Sequence, residues 1–417
     1  MRALLLLPLL LLLAAPALAD DDDAAALLLA DKTSTTAEQS SDWRTYIEAA
    51  ARESRRQGGG PALHGARLSL DARFDKGFAP GWRAVFADRL DLNRIDGASG
   101  NQDVNTLKEA YLSWQLQPDR VADLGRINAR NGVALGYNPT DYFRAGALRS
   151  IVSLDPASLR ENRLGSAMLR GQTLWTSGSL TALYSPALAD KPSDSVFSPD
   201  LGATNRRARW QLAVSEKLSA ALNPQWLVSG GAGQSPQLGL NLTALPNDAT
   251  VVYLEWSGGR ARSLAAQALA NRDDSEFRSR MSAGLTYTTA NNVSLTAEYQ
   301  HNGAGLDQAG WDALRRGPPS AYGAYRALVA NLQDPPTRDQ VFLYAVWQDA
   351  LVKRLDLTAM VRYDGADHSR LQWLEARYHW SRVDIALQTQ LNSGQPGSNF
   401  GALPERRIWQ ALARYFF

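Results

Sequence analysis

The chain of 417 residues carries 44 lysines and arginines against 42 aspartates and glutamates, and a formal charge of +2 gives no whole-molecule field of the kind that holds nucleic acid. It contains no cysteine, which excludes both a disulfide framework and a thiolate metal site. Mean hydropathy of -0.30 resembles that of a soluble protein, but a barrel strand shows lipid only every second side chain, so the value leaves a membrane barrel open.

In chain order, residues 1–19, MRALLLLPLLLLLAAPALA, combine a positive start at Arg2, an apolar run to Ala15 and a small-x-small site at Ala17-Leu18-Ala19. This is the pattern of an export signal peptide; the run is short for a membrane span and meets Asp20 to Asp23 directly. Residues 20–42, acidic and rich in Ala, Leu, Ser and Thr, predict a flexible periplasmic leader. Beyond them no segment approaches the roughly 20 consecutive apolar residues of a spanning helix.

From 43 to 417 one object recurs: segments of about ten residues alternate in polarity and are separated by turn formers, as in a membrane barrel. In DWRTYIEAAARE (42–53), Trp43, Ile47, Ala49 and Ala51 oppose Arg44, Glu48 and Arg52, although Ala49 to Ala51 would also suit a short periplasmic helix. RLSLDARFD (67–75), VSLTAEYQ (293–300), RLDLTAMVRYD (354–364) and VDIALQTQLN (383–392) alternate in the same way, and IWQALARYFF (408–417) closes the chain as a strand. Charges at this density on one face cannot meet hydrocarbon, where an Arg or Lys at mid-depth costs roughly 2–4 kcal/mol, so they face the interior.

Turns are expected near 76–80, 117–119, 176–178, 219–223, 247–248, 290–292, 351–353 and 381. Between them fall mostly longer connections at 93–104, 128–164, 187–204, near 235, 258–274, 303–337, 365–368 and 393–404. Short turns belong on the periplasmic side and long loops outside. A strand at 67–75 that runs inward needs a predecessor, which favours a strand over a helix at 42–53 and gives about 18 strands, within a range of 16–18. The expected fold is all-β: a transmembrane, antiparallel, up-and-down β-barrel with two long, partly helical extracellular loops. Trp43, Trp82, Trp114, Trp175, Trp210, Trp226, Trp256, Trp347, Trp380 and Trp409 fall near strand ends or outward faces, where indole rings favour the headgroup level.

Two loops carry the candidate site. The 128–164 loop holds Tyr142, Phe143, Leu148, Ile151 and Val152, which need burial. Folded inward it would bring Arg130, Asp141, Arg144 and Arg149 into the lumen, with Arg126 just ahead of it; the alternative is an external cap. The 305–336 loop has helical spacing at Trp311, Leu314, Tyr322, Tyr325, Leu328, Val329 and Leu332 and reads as a roof or lid. On the strands, Arg362, Asp364, Glu375, Arg377 and Arg414 are expected to line the pore. His64, His301, His368 and His379 are scattered, and no metal-ligand spacing or nucleophile motif occurs, so neither catalysis, a metal nor a cofactor is expected.

The terminal Tyr415-Phe416-Phe417 is similar to the end of Gram-negative outer-membrane porin-like barrels. GRINARNGVALGYNPTDYFRAG (125–146) and EYQHNGAGL (298–306) resemble segments of large proteobacterial barrels near the alginate-export type of channel. The resemblance implies an outer-membrane location in contact with its lipid, recognition of Phe417 by the barrel-assembly machinery, and passive passage of a small or extended polar, preferably anionic, solute. A loop-plugged barrel that scaffolds an export or assembly complex is the alternative, and either form could have a second copy or an export component as partner.

Overall fold

The computed structural model describes residues 42–270 and 273–417; the expected signal peptide at 1–19, and all but the last residue of the leader, lie outside the described residues. Eighteen strands follow in order: β1 (Trp43–Arg56), β2 (Leu63–Ala79), β3 (Trp82–Ile95), β4 (Val104–Gln117), β5 (Arg120–Ile127), β6 (Ser166–Trp175), β7 (Gly178–Ser185), β8 (Arg209–Glu216), β9 (Leu222–Gly231), β10 (Gln234–Asn247), β11 (Thr250–Ala261), β12 (Glu276–Thr288), β13 (Val293–Asn302), β14 (Asp339–Trp347), β15 (Leu355–Asp364), β16 (Arg370–His379), β17 (Val383–Ser393) and β18 (Glu405–Phe416). Each pairs antiparallel with its sequence neighbours, and β18 returns to β1 with Ala413 opposite Ala49. Closure removes the edges whose unpaired N–H and C=O groups hydrocarbon cannot satisfy.

The segment 42–53 is a strand despite its alanines, because both of its flanks find partners: Ile47 lies opposite Leu70 on one side and Tyr415 on the other. Tertiary pairing outweighs the few tenths of a kcal/mol by which alanine favours helix. The inter-strand segments reproduce the expected asymmetry. One end has connections at 80–81, 118–119, 176–177, 217–221, 248–249, 289–292, 348–354 and 380–382; the other has 57–62, 96–103, 128–165, 186–208, 262–275, 303–338, 365–369 and 394–404, with a two-residue bend at 232–233.

The two faces of the wall differ as alternation requires. Leu68, Leu70, Leu112, Leu124, Leu169, Leu285, Leu343, Leu374 and Leu387 are exposed on the outside, while Glu48, Ser69, Asp71, Arg89, Asp91, Gln211, Glu255 and Glu298 are buried inside. Indoles gather at the short-turn end, where Trp82 and Trp114 stack at 5.2 Å and Tyr378 meets Trp380 at 4.4 Å.

Among the described residues, five helices lie in the long loops: α1 (Pro156–Glu161), α2 (Leu201–Thr204), α3 (Leu264–Leu269), α4 (Gln308–Arg316) and α5 (Pro319–Leu332). The Asp307 side chain caps α4 by accepting from Gly310 N at 2.9 Å. Leu264, Ala304, Trp311, Tyr325 and Val329 form one buried cluster that ties α4 and α5 to α3, so the apolar spacing in 305–336 builds a roof with its own small core.

Candidate functional site: the inserted segment and the charged lumen

Residues 128–165 leave the end of β5 and pack against inward-facing side chains of the wall. Two carboxylates on the wall receive the segment. Glu255 of β11 accepts from Val133 N (3.0 Å), Ala134 N (3.1 Å), Asn138 Nδ2 (3.1 Å), Thr140 N (2.8 Å) and Thr140 Oγ1 (2.8 Å). Glu298 of β13 accepts from Leu135 N (2.9 Å), Gly136 N (3.2 Å), Tyr137 N (3.0 Å), Tyr253 Oη (2.9 Å) and Gln300 Nε2 (2.6 Å).

Register explains how two alternate strands act together. Glu255 lies opposite Ser282 of β12, which lies opposite Gln300, and one row away Gly284 separates Tyr253 from Glu298. A Cβ at Gly284 would stand 2.6 Å from the Tyr253 ring, so only glycine leaves a path across β12 to Glu298. Ser282 adds a bond from Oγ to Tyr137 O at 2.6 Å. On the segment, a Cβ at Gly136 would meet Gln300 Nε2 at 2.5 Å and the Phe342 ring at 2.6 Å, and Gly132 has a φ of +97°. Both glycines let the backbone lie directly on the wall.

The segment then reaches other sides of the lumen. Gln410 of β18 donates to Val152 O at 3.4 Å, Tyr344 of β14 donates to Asp155 at 2.7 Å, and Arg44 of β1 pairs with Glu161 at 3.3 Å. Asp155 also caps α1 by accepting from Ser158 N at 2.9 Å, and burial raises its carboxyl above the ordinary range. Internally, Arg163 binds Asp141 at 2.6 Å and Arg144 binds Asp334 in the roof loop. Burial opposes the Arg144 charge, but Asp334 beside it holds the guanidinium above its usual value. Burial pushes the Tyr142 hydroxyl up to about 12.

The remaining wall carries ion pairs. Glu48 accepts from Arg67 (2.7 Å), Arg89 (3.0 Å) and Arg414 (2.8 Å), Asp71 from Lys108 (2.7 Å), and Asp91 from Arg89 (2.9 Å). Arg170 binds Asp123 at 2.6 Å, and Arg73 binds Glu109.

Of the residues singled out from the sequence, Arg414 belongs to the Glu48 cluster and Arg377 binds Glu375 through two nitrogens at 2.8 and 3.0 Å. The Arg362 guanidinium lies 5.2 Å from the Phe342 ring centroid. Asp364 is buried and accepts from Thr337 Oγ1 (2.6 Å), Gln340 Nε2 (3.1 Å) and Asn399 Nδ2 (3.0 Å), so it anchors loops instead of facing solvent. Asp141 and Arg144 stabilise the segment itself, and Arg130 is exposed near its start. Two further residues differ from the lumen-lining expectation. Arg149 donates to the carbonyls of Asn105 (2.9 Å), Ser198 (3.2 Å) and Ser195 (3.2 Å) and is thereby committed to the 186–208 loop. Arg126 lies opposite Ala110 and Ala167, on the outward parity it shares with Leu124, and is buried without a partner for either terminal nitrogen among the described residues.

A closed antiparallel wall with an apolar outside, a polar inside and long loops at one end is the architecture of an outer-membrane β-barrel, and places the chain in that membrane. No protein-family model matches the chain, and no curated protein matches it. Solved structures do match in fold. OccAB1 of Acinetobacter baumannii superposes with a TM-score of 0.56, covering 90% of this chain and 96% of that one at 10% identity. The outer membrane protein opdK of Pseudomonas aeruginosa gives 0.53, 90% and 99% at 9% identity. OccK2 (OpdF) of the same organism, solved in complex with glucuronate, gives 0.53, 90% and 98% at 13% identity. These likenesses are of fold.

Proposed function

We propose that the chain is a passive outer-membrane channel for a small, polar, anionic solute, with the 128–165 segment setting the bore. The observation that carries the charge preference is the unequal exposure of paired groups. Arg73 is 31% exposed against 14% for Glu109, Arg170 28% against 2% for Asp123, and Arg414 25% against 2% for Glu48. In each pair the guanidinium faces water and the carboxylate lies behind it, so an entering solute meets cations. The glucuronate bound by OccK2 is a solute of the kind such a surface would favour. The resemblance to the alginate-export type of channel enters only through barrel size and loop style; contacts of the segment with β1, β14 and β18 favour a compact solute over an extended polymer.

A second reading, a plugged barrel serving as a scaffold, draws on the burial of lumen-facing Gln211, Asn241, Glu255, Ser282 and Glu298. In either case we assign residues 1–19 to an export signal, 20–42 to a leader and Phe417 to recognition by the assembly machinery. Planar-bilayer recording separates the two readings. The channel should give steady open steps whose reversal potential in a salt gradient moves toward that of the anion, and Arg73→Glu with Arg170→Glu should reverse the preference. Silence that persists after deletion of 130–160 in a correctly folded barrel would reject the channel.

A further inference from the structure

Glu255 and Glu298 have a feature that conduction alone does not require. They are buried, yet none of the ten donors they accept from, five each, is a cation. Eight of these ten come from the segment 133–140, six of them from backbone N–H groups. The titratable or charged groups that face them are Tyr253, which donates to Glu298 and also lies by Glu255, and, outside the shell of donors, Tyr142 and Arg160 of the segment by Glu255 and Arg362 of β15 by Glu298.

Each oxygen is fully committed. Glu255 Oε1 takes both Thr140 donors, and its Oε2 takes Val133 N, Ala134 N and Asn138 Nδ2. Glu298 Oε1 takes Tyr137 N and Gln300 Nε2, and its Oε2 takes Leu135 N, Gly136 N and Tyr253 Oη. A proton on Glu255 Oε2 would point at groups that can only donate, Val133 N, Ala134 N and Asn138 Nδ2, whereas one on Glu255 Oε1 or Glu298 Oε2 would meet a hydroxyl, Thr140 Oγ1 or Tyr253 Oη, that can turn to accept it. Neutralisation in any of these ways removes the charge that strengthens the six backbone N–H bonds, so the hold on 133–140 weakens throughout.

We propose that Glu255 and Glu298 are positioning residues forming an acid-released latch: ionised, they hold 133–140 across the lumen, and protonated, they release it. The direction follows from charge. The latch is intact where both groups are ionised and opens as pH falls. Gly132, Gly136 and Gly284 belong to the same device, because each keeps the carboxylates within reach of the segment backbone or of Tyr253. The widening of the bore on release rests on the channel reading; the release itself does not.

The test uses the full chain, which has no cysteine of its own. Ala134→Cys places a thiol at a buried position beside Glu255, and Leu351→Cys in an exposed turn serves as the reference that removes the pH dependence of the thiol reaction. As pH falls from about 7 to about 4, the labelling rate at 134 relative to 351 should rise at least about tenfold, the change expected when one charge-assisted hydrogen bond is lost. Glu255→Gln with Glu298→Gln should raise it to the same extent at neutral pH and flatten the pH profile. A ratio that is independent of pH and equal in the Gln variant would overturn the latch. Should the Gln variant not fold, the pH arm on Ala134→Cys alone decides. Conductance recorded in parallel should rise with labelling; labelling that rises while conductance stays absent supports the latch and removes the channel.

Discussion

Glu48 gives the most demanding test of the lumen wall. Its carboxylate is 2% exposed and faces three guanidiniums, of which Arg89 is 1% exposed. Glu48→Gln keeps the shape but leaves Arg67, Arg89 and Arg414 without their shared anion; Asp91 and Asp71 retain Arg89 at 2.9 and 3.7 Å and Asp91 stays 3.9 Å from Arg67, so the loss falls mostly on Arg414. Removing one partner of a buried pair costs about 3–5 kcal/mol, or roughly 150- to 5,000-fold in the folded-to-unfolded ratio. Arg414→Gln should cost less, about 1–3 kcal/mol, because Glu48 keeps two cations and Arg414 is a quarter exposed. Equilibrium denaturant unfolding of the refolded barrel in lipid vesicles, followed by tryptophan fluorescence, measures both. A Glu48→Gln barrel within 1 kcal/mol of the parent, or an Arg414→Gln barrel less stable than Glu48→Gln, would refute the argument that this carboxylate organises the cluster.

Leu124 is 65% exposed on the outer face, so Leu124→Arg should destabilise assembly into vesicles by about 2–4 kcal/mol, read as a lower yield of the heat-modifiable folded form. Asp364→Ala removes the acceptor shared by Thr337, Gln340 and Asn399, and trypsin should then cut the 303–338 loop about tenfold faster while the barrel stays folded; an unchanged cleavage rate would separate Asp364 from loop anchoring. The Tyr142 hydroxyl, pushed up to about 12 by burial, and Tyr137, raised further, stay neutral in the folded chain, whereas unfolded tyrosine ionises near about 10. Stability from these groups is present below about pH 10 and falls as pH rises through about 12. Phenolate absorbance and melting temperature across that range check it, and Tyr142→Phe should remove part of the slope.

The barrel was legible because its signal is repetitive: alternation in β2, β13, β15 and β17, together with turn lengths, fixes the closure even where one segment is ambiguous. The ambiguous strand β1 was resolved only by parity, since Ala49 to Ala51 carry no β preference of their own. The inserted segment was legible as apolar residues in need of burial, but its receiver was not. Glu255 lies over 110 residues from its donors, and those donors are mostly backbone N–H groups that every residue possesses, so no residue type in 133–140 marks them. The available signal was indirect: Gly132 and Gly136 four residues apart in one loop, and carboxylates on lumen parity without an adjacent arginine. Arg126 was misplaced for a different reason. Gly125, at a φ of +140°, leaves its successor opposite Ala110, and composition does not reveal which side of the wall a residue at a strand end will take.

Eighteen strands enclose more space than the wall's own side chains can fill, so what the molecule admits depends on how the rest of the lumen is occupied. Here residues 128–165 occupy it, and they do so through polar contacts, which remain compatible with water beside them, as well as through apolar patches such as Leu135 and Leu154 against Phe342 and Tyr344. The apolar patches favour insertion in any state of charge, whereas the carboxylate contacts depend on ionisation. A segment held by both kinds of contact can lose the second without leaving the barrel, so acid would shift it within the lumen while β1 to β18 stay paired.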